Sequence, residues 1–133
     1  MKKIKIISIS LLVYVGVVVL FESLLGYFQP QAGATMVVTT FGADGAGYDR
    51  VVAKLESGTR LYVAVNHWPR AWYRRMLNNP LVEVTVDGES VPYRAIQLHG
   101  MDYARIDGQH RLGLGFRILT GFPPRHLFLL EPR

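Results

Sequence analysis

Asn66-His67-Trp68-Pro69-Arg70-Ala71-Trp72-Tyr73-Arg74-Arg75-Met76-Leu77-Asn78-Asn79-Pro80 is the stretch on which the fold turns. It has the composition of a short helix rich in aromatics and arginines, set between two strand-like runs, Arg60–Val65 and Val82–Val86. A strand, a basic aromatic helix and a strand in close order predict a small β-barrel with a planar, anionic ligand at its rim. Guanidinium forks bind phosphates and carboxylates, and tryptophan and tyrosine faces stack on flat rings. The same residues also serve packing. The spacing of Trp72, Met76 and Leu77 places them on one helix face, against the sheet. Trp72 and Leu77 are therefore expected in the core, and Arg70 with Arg74 or Arg75 nearer solvent.

Outward from the helix the chain is mostly β. Thr35–Phe41 is a first strand, followed by the glycine-rich loop Gly42-Ala43-Asp44-Gly45-Ala46-Gly47. Arg50–Glu56 and Arg60–Val65 are joined at Ser57-Gly58, and Val82–Val86 and Ser90–Leu98 at Asp87-Gly88, a favoured type I′ pair. Met101–His110 suits a short helix. Leu112–Leu119 stays open between helix and strand, since Gly113 and Gly115 weaken either. Phe122-Pro123-Pro124 is a turn and His126–Leu130 a closing strand. Short strands with one or two helices predict a small barrel.

The N-terminal segment is different. From Ile4 to about Phe28 it is almost continuously apolar, broken by Lys5, serines, glycines and Glu22. That is roughly the 20 residues that span a ~30 Å hydrocarbon core. An uncleaved anchor is favoured over a signal peptide, although Ala32-Gly33-Ala34 resembles a cleavage site, because an h-region is usually only about 7–15 residues. Lys2, Lys3 and Lys5 precede the run and no Lys or Arg follows until Arg50. The lysines therefore place the N-terminus in the cytoplasm and the rest of the chain beyond the membrane. The expected division is residues 1–30 as anchor and 31–133 as a barrel domain.

Among 133 residues, Lys and Arg number 15 against 10 Asp and Glu, and Cys is absent. The arginines are scattered and form no stripe, which argues against nucleic acid. Without Cys there are no disulfides, thiolate ligands or cysteine nucleophiles. The order Gly42, Gly45, Gly47 is neither a dinucleotide fingerprint nor a P-loop. No Gly-x-Ser-x-Gly elbow exists, and His67, His99, His110 and His126 lack metal-ligand spacing. Hydrolysis has no support, and no metal site is expected. A cofactor is the remaining route to chemistry.

The residues resemble the deazaflavin-dependent nitroreductase family, relatives of the flavin-binding split β-barrels. Val65-Asn66 leads into Pro69-Arg70-Ala71-Trp72-Tyr73, then Leu77, Asn79-Pro80 and Val84-Thr85-Val86, similar to the family's helix motif and following strand. Thr39-Thr40-Phe41-Gly42 is similar to its opening Thr-Thr-x-Gly, and Leu129-Leu130-Glu131-Pro132-Arg133 to its last strand. The family's loop then runs Gly-x-Lys-Ser-Gly before an arginine. Here only Arg50 matches, and Asp44 and Asp49 stand where a phosphate would be repelled.

The resemblance implies an α+β, mainly β, split barrel of the flavin-reductase or pyridoxamine-phosphate-oxidase kind, and the apolar run sets a transmembrane helix before it. It implies a membrane-anchored oxidoreductase that passes a hydride to a quinone or nitro compound. The cofactor is a deazaflavin coenzyme of the F-420 type, with FMN as the alternative. The expected cofactor-binding residues are Gly42, Gly45, Gly47, Arg50, Asn66, Trp68, Arg70 and Tyr73. Backbone amides of Gly45 to Gly47 would form an anion nest. Tyr48 and His67 are the candidate proton donors to an acceptor oxygen. The expected partners are membrane lipid and a quinone-like or nitroaromatic molecule, with a homodimer left open. The alternative is a non-catalytic, membrane-tethered split-barrel module that binds a small ligand or a partner protein.

Overall fold

The computed structural model describes residues 1–28, 34–66 and 71–133. It contains a long N-terminal helix α1 (Lys2–Phe28), then β1 (Thr35–Phe41), β2 (Gly47–Ala53), β3 (Leu55–Ser57) and β4 (Arg60–Val65). Helix α2 (Ala71–Asn78) follows, then β5 (Leu81–Val86), β6 (Glu89–Gln97), α3 (Gly100–Gln109), α4 (Leu114–Thr120) and β7 (His126–Pro132). The seven strands form one antiparallel sheet in the order β2-β1-β5-β6-β7-β4-β3.

Closure follows from connectivity. β2 and β3 lie at opposite edges of the sheet, yet only Lys54 separates them in the chain. The edges must therefore meet, and the sheet curls into a split barrel. The sequence reading treated Arg50–Glu56 as one strand. The structure divides it at Lys54, whose amide bonds back to the Ala34 carbonyl at 3.0 Å while the chain changes edge. Closing a sheet in this way removes exposed strand edges.

The alternation along the strands gives the sheet two apolar faces. Met36, Val38, Val63, Val65, Val82, Val84, Ala95, Phe128 and Leu130 fill the interior, and Trp72 and Met76 of α2 plug it. On the outer face Tyr62, Leu127 and Ile106 form a second cluster beneath α3. The β5–β6 turn has Asp87 at φ 51° and Gly88 at φ 82°, the pair of positive values a type I′ turn requires.

Helix α2 is shorter than the quoted stretch. It ends before Pro80, which lacks an N–H and disfavours helix in the residue ahead of it. The Asn79 amide still donates to Arg75 at 2.8 Å, and the Asn79 side chain accepts from the Leu81 amide at 3.2 Å, turning the chain into β5. Leu77 corrects an expectation. It is 47% exposed, because the buried stripe is Trp72 and Met76, four residues apart, and one further residue rotates about 100° out of it. Leu112–Leu119 resolves as helix α4, with Gly113 as its N-cap and Gly121 closing it at φ 76°.

Candidate functional site

The register of β1 and β2 decides which side chains share a face. Thr40 lies opposite Tyr48 and Val38 opposite Arg50, while Thr39 lies opposite Asp49. Met36, Val38 and Thr40 are the buried residues of β1. Directly opposed residues share a face in an antiparallel pair, so Tyr48 and Arg50 are on the inward side with α2. Asp49 is on the other side, where it accepts from the Thr39 hydroxyl at 2.6 Å. The repulsion expected from Asp49 is therefore directed away from this face.

Arg75 joins α2 to that face. Its Nε donates to the buried Thr40 hydroxyl at 3.0 Å, and its guanidinium lies 3.9 Å from the Tyr48 ring centroid. Among the described residues the two terminal nitrogens make no hydrogen bond or ion pair, which leaves a fork fixed at one end and stacked on an aromatic ring. Such a fork is organised for an anion. Sequence reasoning placed Arg75 only as one of two solvent-facing alternatives. Its signal was its position three residues after Trp72, at the margin of the buried stripe. Tyr48 is 43% exposed.

The glycine loop does not fit a phosphate. The Gly42 amide donates to the Ala46 carbonyl and the Gly45 amide to the Gly42 carbonyl, each at 3.0 Å. The Ala46 amide donates to the Asp44 carboxylate at 3.1 Å. Asp44 thus fills the loop as an internal anion, and two of the three amides that would make a nest, those of Gly45 and Ala46, are already occupied. A Cβ on Gly42 would meet Asp44 Oδ1 at 2.9 Å, so the absence of a side chain lets the carboxylate fold in. Gly47 opens β2 opposite Phe41.

Asn66 and Tyr73 belong to a second cluster at the junction of β4 and β7. Tyr73 stacks on His126 with centroids 4.5 Å apart and meets Phe128 edge-on. His126 Nδ1 faces Gln97 Nε2 at 3.4 Å, and burial lowers its pKa below the usual histidine value. The Asn66 side chain accepts from Arg125 Nε at 2.8 Å. Arg125 also pairs with Asp107 at 2.8 Å, and its carbonyl accepts from the Tyr103 hydroxyl at 2.9 Å. Burial chiefly raises the Tyr103 pKa, with Asp107 adding and Arg125 opposing, which keeps the phenol a donor. Asn66, Tyr103, Asp107 and Arg125 line part of a cavity of about 440 Å³. The structure therefore separates the expected site residues: Tyr48 stacks with Arg75 and Arg50 shares its side of the sheet, whereas Tyr73 stacks on His126 and Asn66 bonds to Arg125. His67, Trp68 and Arg70 lie outside the described residues. Among the described residues no group of His, Asp and Glu has metal-site geometry.

No family model and no curated protein matches the chain. Solved structures do match. An F420-H2 dependent reductase (FDR-A) is 19% identical over 73% of this chain and 93% of its own, with a TM-score of 0.58. The heme storage protein HutZ of Vibrio cholerae is 18% identical over 77% of this chain and 84% of its own, with a TM-score of 0.59. An FAD-binding protein of Mesorhizobium loti is 18% identical over 77% and 81%, with a TM-score of 0.53. At these identities the likeness establishes the fold: a split β-barrel shared by deazaflavin-, flavin- and heme-associated proteins.

Proposed function

We propose that the barrel domain is a membrane-anchored oxidoreductase of the deazaflavin or flavin type, with a quinone or nitro compound as acceptor. The observation that carries the reading is Arg75, pinned by Thr40, stacked on Tyr48 and open at its terminal nitrogens. This arrangement suits a flat ring with an anionic substituent. The reductase and FAD-binding neighbours share the fold, which supports the cofactor class. A bound reduced deazaflavin or flavin would supply the hydride.

The chain's own residues orient and select. Arg75 and Arg50 hold negative charge, Tyr48 offers a ring, and its hydroxyl gives a proton to an acceptor oxygen. The self-filled glycine loop moves charge recognition onto the arginines. In the same proposal residues 1–30 anchor residues 31–133, consistent with the 23-residue apolar span Lys2–Leu24, and a lipid-soluble acceptor is concentrated where the anchor holds the domain. A homodimer is the proposed assembly, to be checked by light scattering in detergent.

The test is absorption and mass analysis of any chromophore that copurifies with the full chain, followed by reduction assays with menadione and a nitroimidazole. Turnover with either cofactor class supports the reading. Binding of a planar anion without turnover would favour the non-catalytic module, for which the loss of the loop lysine is the specific observation.

A further inference from the structure

We propose that the cavity enclosed by α3, α4 and the turn into β7 binds the headgroup phosphate of an anionic phospholipid, with α4 seated in the bilayer beside α1. The inference uses the proposed membrane role of α1 and does not depend on the cofactor.

The cavity lining provides the charge. Arg111, Arg117 and Arg125 face it with one acid, Asp107, giving a net charge of two positive. Arg125 forms the fixed floor: its side chain is 10% exposed and is held by Asp107 and Asn66. Arg111 and Arg117 are exposed at the mouth and pair with no carboxylate among the described residues. Arg117 lies 5.5 Å from the Phe122 ring centroid. Two arginine forks over a cavity of about 440 Å³ match a phosphate with a small polar substituent.

The surroundings identify the source of that phosphate as lipid. Helix α4 contributes Arg117 to the cavity and rests its other side on α1. The Tyr14 hydroxyl donates to the Ile118 carbonyl at 2.8 Å, and Phe21 meets Phe116 edge-on at 6.0 Å. Among the described side chains of α1, those that lose exposure are Tyr14, Val18, Phe21 and Glu22, a single stripe, whereas Ile4 to Val13 are exposed all round. Leu114, Ile118, Leu119 and Phe122 are exposed beside that helix and extend its apolar surface.

Depth is consistent with this placement. Lys5 to Tyr14 is about 14 Å of helix at 1.5 Å per residue, and lysine stems reach back to the interface. In a core of ~30 Å this sets Tyr14 in the leaflet on the domain side and Phe21 about 10 Å nearer its surface. Helix α4, lying between those levels, enters to the roughly 5–10 Å at which interfacial helices bury their apolar faces. Arg111 and Arg117 then meet the phosphates.

The experiment is native mass spectrometry of the full chain released from micelles containing equal phosphatidylglycerol and phosphatidylcholine. Wild type should retain phosphatidylglycerol by about tenfold over phosphatidylcholine, and Arg111→Gln with Arg117→Gln should bring the two near parity. Arg60→Gln, an exposed arginine on another edge, should leave the preference unchanged. Parity in wild type, or an unchanged preference in the double variant, overturns the site. So does equal displacement of the lipid by inorganic phosphate, which would mark a soluble-anion site. As a second measurement, a nitroxide on Phe122→Cys, in a chain with no other cysteine, should collide with oxygen more than with a water-soluble nickel chelate. The reverse order contradicts the seating. Release of the full chain from membranes by carbonate would overturn the anchor and the lipid site together. A membrane-bound chain without lipid preference overturns the lipid site alone.

Discussion

The Arg75 Nε–H donates to Thr40 and its guanidinium stacks on Tyr48, and in the proposed function its terminal nitrogens hold a ligand, so its substitutions should separate binding from folding. A hydrogen bond to a charged group is worth roughly 1.5–3 kcal/mol, so Arg75→Ala should weaken binding of an anionic flavin about ten- to a hundredfold. Calorimetry on the variant gives the value. Arg75→Lys should recover only part of it, because an ammonium cannot present a fork. Asp44→Ala should act in the opposite direction. It frees the Ala46 amide and removes the internal anion, so phosphate affinity at the loop should rise, measured as protection of the Gly45 and Ala46 amides from exchange by added phosphate. His126 gives a pH dependence with a definite sign. Its folded pKa is lowered by burial, so the fold prefers the neutral ring. Below about 6.5 the unfolded chain takes up a proton that the folded ring resists. This contribution is intact above that value and is lost as the pH falls through it towards the folded pKa. Melting temperatures from pH 8 to 5 should decline at the acid end, and His126→Gln should flatten the decline. Equal slopes for the two proteins would reject the assignment.

At the scale of elements, α2 holds the barrel interior together and its two faces should respond differently. Trp72 is buried among the interior residues, so Trp72→Ala should cost about 3–5 kcal/mol, whereas Leu77→Ala, at an exposed position, should fall within about 0.5 kcal/mol. The buried Trp72 indole N–H has no partner among the described residues. Trp72→Phe should therefore cost clearly less than Trp72→Ala, since the change removes an unsatisfied donor as well as volume; urea unfolding of the three variants orders them. Much of this architecture was legible in the sequence. Thr35–Phe41 and Arg60–Val65 were read with the bounds the structure gives, and Asp87-Gly88 announced its turn, because strict alternation and positive-φ pairs are local signals. The break at Lys54 was not legible, since it is imposed by the distant edges that Lys54 joins. Leu77 was misplaced because a helix face is only about 100° wide. Of the candidate site, the shared side of Tyr48 and Arg50 follows from strand parity once the register with β1 is known. That Arg75 completes them depends on how α2 sits against Thr40, and pairwise spacing does not contain that information.

For the whole molecule, one curled sheet, a plugging helix and an apolar helix docked through α4 make a domain whose proposed ligand chemistry rests on arginines rather than on its glycine loop. Removing residues 1–28 should leave the barrel core intact, because among the described residues its interior cluster includes none of α1. It should also uncover Phe116 and Ile118, so the truncated chain should fold but associate, seen as concentration-dependent sedimentation that detergent reverses. The central claim is that the barrel holds a planar, anionic redox cofactor between the start of β2 and α2. The most direct measurement is a fluorescence titration of the full chain in detergent with deazaflavin coenzyme and, separately, FMN, following tryptophan quenching in wild type and Arg75→Ala. The account predicts saturable quenching by at least one of them, with the midpoint raised about tenfold or more in the variant. Absence of saturable quenching by both up to ~1 mM, where binding is worth only about −4 kcal/mol, would contradict it.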